Sequence, residues 1–198
     1  MIQQLAFTFG SKTKAQEIVL LLQNAKEVVR QGFYESELFK VEQFCQKNNL
    51  YLVKSTFKVL FADEEVYSNK GVRISEEDPR PGMYFVYISK DEQKAWLASY
   101  HELMQNHTNL GLVLGYPHCC IDFFCKNFTA RNSNPEHKPI NPHTNLSKRE
   151  QDLVILSHFP CCSDCIKSIK LGEKYLQAIY VADKERAREL LTQLRVIP

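Results

Sequence analysis

Apolar and polar positions along this chain change their period several times, and each change marks an element. Leu5, Phe7 and Phe9 alternate with Ala6 and Thr8 and predict a short strand that ends at Gly10. Thr13 and Gln16 form a capping box. The helix it opens carries Ile18, Leu21, Leu22, Ala25 and Val29 on one side and closes at Gly32 in a left-handed turn. A second helix sets Leu38, Val41, Phe44 and Cys45 on one face, which puts Cys45 in the core, and stops at Asn48-Asn49. Over residues 50–61 the period becomes two, with Phe57, Val59 and Phe61 on one side. Tyr84, Val86 and Ile88 repeat it beyond a charged loop, so the two runs predict paired strands. Ser89 and Glu92 cap a further helix that buries Trp96, Leu97, Tyr100, Leu103 and Met104.

The rest of the chain reads as mostly helical. A polar stretch rich in proline and asparagine, residues 129–146, predicts a flexible surface loop, of a length that is usually mobile or functional. Ser147 and Glu150 open a short helix through Leu153, Val154 and Leu156. A longer helix begins at Pro160 and keeps apolar spacing from Ile166 to Leu194, with Gly172 as a place to bend or break. The fold class is therefore α+β: N-terminal helices packed on a small, largely antiparallel sheet, followed by a mostly helical, cysteine-rich C-terminal half. The expected organisation is a single domain, 1–198, with an α+β part over 1–106 and a helical metal-binding part over 107–198.

Composition narrows the function classes. At 198 residues the chain can bury a core without staples, and 44% apolar with 24% charged residues is ordinary globular usage. A net charge of +2 gives no long-range pull toward nucleic acid or an anionic membrane. No apolar run approaches the roughly 20 residues that span a bilayer. Residues 1–5 lack the features of a signal peptide. The seven cysteines are odd in number and bunched, which suits a reducing cytoplasm better than a disulfide framework. Seven glycines leave little material for a phosphate-binding loop or dinucleotide fingerprint.

The cysteines carry the candidate chemistry. Tyr116-Pro117-His118-Cys119-Cys120 and Phe159-Pro160-Cys161-Cys162 both place thiols just after a proline. Proline favours the first helical position. Thiols in a first turn meet free N–H groups and the positive end of the helix dipole, which stabilise the metal-binding thiolate. Helical phase aligns Cys125 with Ile121, Phe124 and Phe128, and Cys162 with Ile166 and Ile169, so both read as packing residues. Cys119, Cys161 and Cys165 fall on faces that no apolar stripe explains. Cys120 is ambiguous, because Phe123 and Phe124 follow it, and Cys125 is then the alternative fourth ligand. Four thiols suit zinc or an iron-sulfur cluster. Adjacent cysteines converge poorly on one small ion, whereas a [4Fe-4S] cube offers them separate corners, so the cluster is the expected cofactor and zinc the alternative.

These residues compose two motifs. Leu114 to Phe124 reads LGYPxCCxxFF, and His158 to Ser168 reads HxPCxxxCxxS. In them the chain resembles an uncharacterised, mostly archaeal family known as a domain of unknown function. The resemblance implies Cys119, Cys120, Cys161 and Cys165 as the shared thiols and leaves Cys125 and Cys162 outside the pattern; it implies no reaction.

His158 is expected to support the site from outside the ligand set, and Ser168 and Asp122 are further candidates for such support or for acid-base work. His118 reads as exposed. Two functions compete: an intracellular iron-sulfur protein in electron transfer or substrate activation, and a zinc-stabilised RNA- or protein-binding module without catalysis. The second would use Lys167, Lys170, Lys174, Arg186 and Arg188, which read more simply as a solvated helix face. A disulfide-bearing protein is a weaker third reading.

Overall fold

A computed structural model describes residues 1–61, 71–129 and 132–195, the side chain of Phe61 excepted. The chain forms two compact units. One comprises Met1–Lys26, Tyr116–Asn127 and Pro135–Pro198, the other Glu27–Gly115 and Phe128–Asn134. No helix among the described residues is long and apolar enough to cross a membrane.

The second unit holds the sheet. Strands β1 (Val28–Phe33), β2 (Tyr51–Phe61), β3 (Gly71–Ser75) and β4 (Met83–Ser89) lie in the order β1-β4-β2-β3, all antiparallel. The expected pairing of β2 with β4 is present, interrupted by an irregularity between Lys54 and Lys58. Ser55 repairs the gap: its buried hydroxyl accepts from Phe85 N at 3.1 Å and donates to Phe57 O at 2.7 Å. Helices α3 (Glu35–Lys47) and α4 (Glu92–Leu103) pack on the sheet, and α5 (His107–Val113) packs on α4. The α+β class therefore holds, and Cys45 lies in the core as expected.

Several local expectations fail for physical reasons. Residues 2–9 form helix α1 (Ile2–Phe9), not a strand. Ile2, Leu5, Ala6 and Phe9 repeat at i, i+3, i+4 and i+7, a stripe that coincides with the alternation of Leu5, Phe7 and Phe9. Phe7 stays exposed, and Gly10 ends the helix at φ 83°. Helix α2 (Lys12–Leu22) is capped by Ser11, whose hydroxyl accepts from Lys14 N at 3.1 Å, and stops well before Gly32. Asn24 turns the chain at φ 57°, and Val28, Val29 and Gly32 belong to β1. In α4 the apolar face points outward. Trp96, Leu97, Tyr100, Leu103 and Met104 are exposed, while Ala95, Ala98 and Glu102 are buried. The alanines allow close approach to the sheet, and the Glu102 carboxylate pairs with Arg30 and Arg73.

The other unit is helical. Ile2, Val19, Leu20, Leu156, Ile179 and Leu190 share its core with residues of α1, α2, α7 (Ile166–Ala182) and α8 (Lys184–Gln193). A smaller cluster of Leu146, Val154 and Phe159 lies against Phe123 and Phe124 of α6 (His118–Asn127). The expected helix through Leu156 is only a 3-10 turn, Arg149–Gln151, after which residues 153–156 run irregularly and fully buried. The expected long helix starts at Ile166, six residues later than predicted, and breaks at Asp183. Asp183 caps α8 by accepting from Arg186 N, and it also accepts from Ile2 N at 2.8 Å. Arg186 is buried against Gln16, Asp152 and Glu189, which removes it from any solvated basic face.

Gly172 does not break α7, which runs through it from Ile166 to Ala182. A Cβ there would lie 2.8 Å from His143 Cβ and 3.3 Å from His143 O, so the glycine lets the segment around the 3-10 turn Pro142–Thr144 seat on the helix. Gly172→Ala gains about 1 kcal/mol of helix propensity against roughly 1–3 kcal/mol of overpacking. Net destabilisation is expected, read as a lower urea midpoint at unchanged slope; a raised midpoint would contradict this packing.

Candidate metal centre

Two chain segments of the helical unit build the site. The first is the start of α6, where Pro117 O accepts from Cys120 N at 2.9 Å and Ile121 N at 3.0 Å, which brings Cys119 and Cys120 into the opening turn as expected. The second differs from expectation. Residues 160–165 form turns, not a helix, and Cys165 is the N-cap residue of α7. Cys161 therefore lies on a loop, directly after Pro160 and before the turn closed by the bond from Cys165 N to Cys162 O at 3.2 Å.

The four sulfurs of Cys119, Cys120, Cys161 and Cys165 all lie within 4.8 Å of one another. Cys119 and Cys120 are 3.9 Å apart, Cys119 and Cys165 3.8 Å, and Cys120 and Cys165 3.7 Å. Adjacent cysteines do converge on a single point here. Cys120 and Cys165 are buried, and Cys119 and Cys161 half-buried. Four close thiols of this kind can hold a metal ion.

The surroundings favour sulfur anions unevenly. Cys161 N donates to Cys120 Sγ at 3.3 Å, and Ser168 Oγ lies 3.1 Å from the same sulfur. Burial nevertheless pushes the Cys120 thiol up to about 12, against the hydrogen bonds from Ser168 and Cys161. Burial also raises Cys161, with the neighbouring thiols adding to the effect. Cys165 is buried too, but hydrogen bonds from the Ser168 hydroxyl and amide outweigh that and bring it down to about 7. Cys165 is thus shifted down while Cys120 and Cys161 are shifted up, as expected where like charges share a small dry volume.

Around the sulfurs runs a buried polar chain. His158 Nε2 lies 2.9 Å from Ser168 Oγ, so the imidazole reaches Cys120 through the serine. Ser168 has one proton. If it is given to sulfur, His158 must donate from Nε2, leaving Nδ1 bare, and Nδ1 is indeed buried without a hydrogen-bond partner. The Tyr116 ring lies tilted against the imidazole with centroids 5.0 Å apart, and its hydroxyl lies 3.2 Å from Ser157 Oγ. Lys26 donates to Ser157 Oγ at 3.0 Å and to Glu17 at 2.5 Å. Burial disfavours the ammonium, but the Glu17 carboxylate outweighs it and holds Lys26 charged.

Of the residues singled out from sequence, His158 and Ser168 adjoin the sulfurs, whereas Asp122 is exposed on α6 with no hydrogen bond to them. Cys125 is exposed, not packed, and Cys120 takes the fourth position that the two had shared as candidates. Cys162 is half-buried rather than core, with its sulfur 3.9 Å from Cys161 Sγ. The sequence alone does not mark Glu17, Lys26, Tyr116 or Ser157 as neighbours of the site. Tyr116 at least sits inside the first motif; Lys26 lies in a turn and carries no sequence signal of burial.

Fold and sulfur arrangement thus define a protein with a partly buried four-thiol site able to hold a metal. The chain belongs to the family described as protein of unknown function, DUF483, whose model matches residues 96–194, a stretch containing both motifs and all four thiols. Comparison with curated proteins and with solved structures gives no match.

Burial first, and then Lys26 and Arg149, hold the His158 imidazole down to about 3. Below about 6.5 the unfolded chain takes up a proton at this position that the folded chain refuses until about 3. The unfolded state binds more protons in that window, so stability falls as pH drops through it. His158→Gln is expected to flatten the dependence of the urea midpoint on pH between about 6.5 and 4 relative to wild type. Parallel curves would show that His158 titrates normally.

Proposed function

We propose that the chain is a zinc-stabilised module in which Cys119, Cys120, Cys161 and Cys165 bind one tetrahedral ion, and that the metal serves the fold rather than catalysis. The observation that carries this reading is the sulfur spacing. Bonds of about 2.3 Å to a tetrahedral ion set neighbouring sulfurs about 3.8 Å apart, and three of the measured separations are 3.7, 3.8 and 3.9 Å. A [4Fe-4S] cube, the sequence expectation, spreads its thiolates to roughly 6 Å, beyond the 4.8 Å that contains all four here. The objection to adjacent cysteines loses its force, because the two thiols of the α6 opening turn already sit at single-ion spacing.

Four protein ligands leave no open position, the mark of a structural rather than a catalytic zinc. The donors from Ser168 and Cys161 N supply the outer support that thiolate ligands require. The ion would tie the start of α6 to the turns before α7, a stretch whose own apolar cluster is small. Binding to a partner, protein or RNA, is the function such a module leaves open to it. Lys167, Lys170 and Lys174 remain exposed on α7 for that purpose, in a cytoplasmic setting that keeps thiols reduced.

Metal analysis of protein purified without oxygen tests the reading. One zinc per chain and no visible absorbance are expected; iron with sulfide and a broad band near ~400 nm would restore the cluster. Cys165→Ser should abolish binding and cost on the order of 5 kcal/mol or more of stability, while Cys125→Ser should leave metal content unchanged.

A further inference from the structure

We propose that Cys162 is a redox modification site: it is the resolving thiol through which a peroxide opens the metal centre, by forming a disulfide with Cys161. This rests on the reading that Cys161 is a metal ligand. The basis is geometric. Among the four ligands, Cys120 and Cys165 are buried, and only Cys119 and Cys161 are open enough for a small oxidant to reach. Of these two, Cys161 is the one that, among the described residues, has a thiol outside the ligand set beside it, Cys162 at 3.9 Å. Cys162 is itself half-buried, lies outside both the ligand set and the family motif, and sits on a loop free of helical constraint.

The chemistry balances with a peroxide as the oxidant. A metal-bound thiolate at Cys161 attacks one oxygen of hydrogen peroxide, the O–O bond breaks, and sulfenic acid and hydroxide form. The Cys162 thiol then displaces the hydroxyl from the Cys161 sulfur, giving the disulfide and water. Each sulfur loses one electron and the peroxide gains two. A disulfide sulfur no longer binds as thiolate, so the ion keeps three ligands and dissociates readily. Adjacent residues hold their Cα atoms at about 3.8 Å, closer than an unstrained disulfide prefers, so thiol reductants restore the pair easily. Without a resolving thiol, the sulfenic acid proceeds to the irreversible sulfinic acid.

The test uses the full chain, wild type and Cys162→Ser, assayed first for bound zinc, then exposed to hydrogen peroxide with a chromophoric zinc chelator, and mapped by differential alkylation and peptide mass spectrometry. Both proteins should start with equal zinc. In wild type, zinc release should track a disulfide within the peptide that carries Cys161 and Cys162, and dithiothreitol with added zinc should restore binding. In Cys162→Ser, the fraction recovered after the same cycle should fall by about fivefold or more, with sulfinic acid at Cys161. A disulfide joining two of the four ligands, or full recovery in Cys162→Ser, would overturn the proposal. Absence of zinc at the outset would undo the metal reading instead, while the wild-type peptide map would still decide whether Cys161 and Cys162 pair.

Discussion

Four sulfurs within 4.8 Å of one another, half of them shut away from water, are an electrostatic problem that the fold alone does not solve. As thiolates they repel; as thiols they make only weak hydrogen bonds with each other. The opposed shifts at Cys120, Cys161 and Cys165, two raised and one lowered, express this conflict. A divalent cation removes it by converting mutual repulsion into four bonds. On the proposed reading, an ion held by Cys119, Cys120, Cys161 and Cys165 would join the start of α6 to the turns before α7.

That dependence explains otherwise unrelated choices. Pro117 starts α6 so that its first two thiols fall at one place, while the turns over residues 160–165 carry Cys161 back toward Cys120, whose sulfur accepts its amide. Residues 142–146 then brace the turns: Thr144 donates to Ser163 O at 2.5 Å, and Gly172 admits His143 close to α7. Ser168 links sulfur to His158, and the imidazole stays uncharged beside Lys26, so the outer layer orients dipoles at the sulfur without adding a competing charge. The buried Glu17–Lys26 pair is weak evidence for stability, since desolvation offsets much of its attraction. The clearer role belongs to the Lys26 ammonium, which adds to burial in keeping the His158 ring neutral.

How much of this could be read in the chain depends on which signals are local. Helix α3 and the pairing of β2 with β4 follow from clean periods over long runs, and the four thiols are marked by motif positions that helical phase only partly explains. Helix α4 shows the opposite case. Its large apolar residues suggested the buried face, but the sheet accepts Ala95 and Ala98, and the charge pair at Glu102 overrides hydrophobicity. Residues 2–9 fit two periods at once, and only tertiary packing selects the helix. Placing Cys125 and Cys162 in the core requires helices that run from each proline with those residues inward; at Cys162 no helix exists, and in α6 Ile121 is buried and Phe124 half-buried while Cys125 itself is exposed. Lys26 lacks any local mark because its burial depends on Glu17 and Ser157, the latter 131 residues away.

The central claim is that the four thiols meet at one ion. X-ray absorption at the edge of the metal bound to the purified protein tests it most directly. The account predicts a single shell of four sulfur scatterers at about 2.3 Å with no metal–metal distance beyond it. Short metal–metal scattering, or oxygen and nitrogen neighbours in place of sulfur, would contradict it.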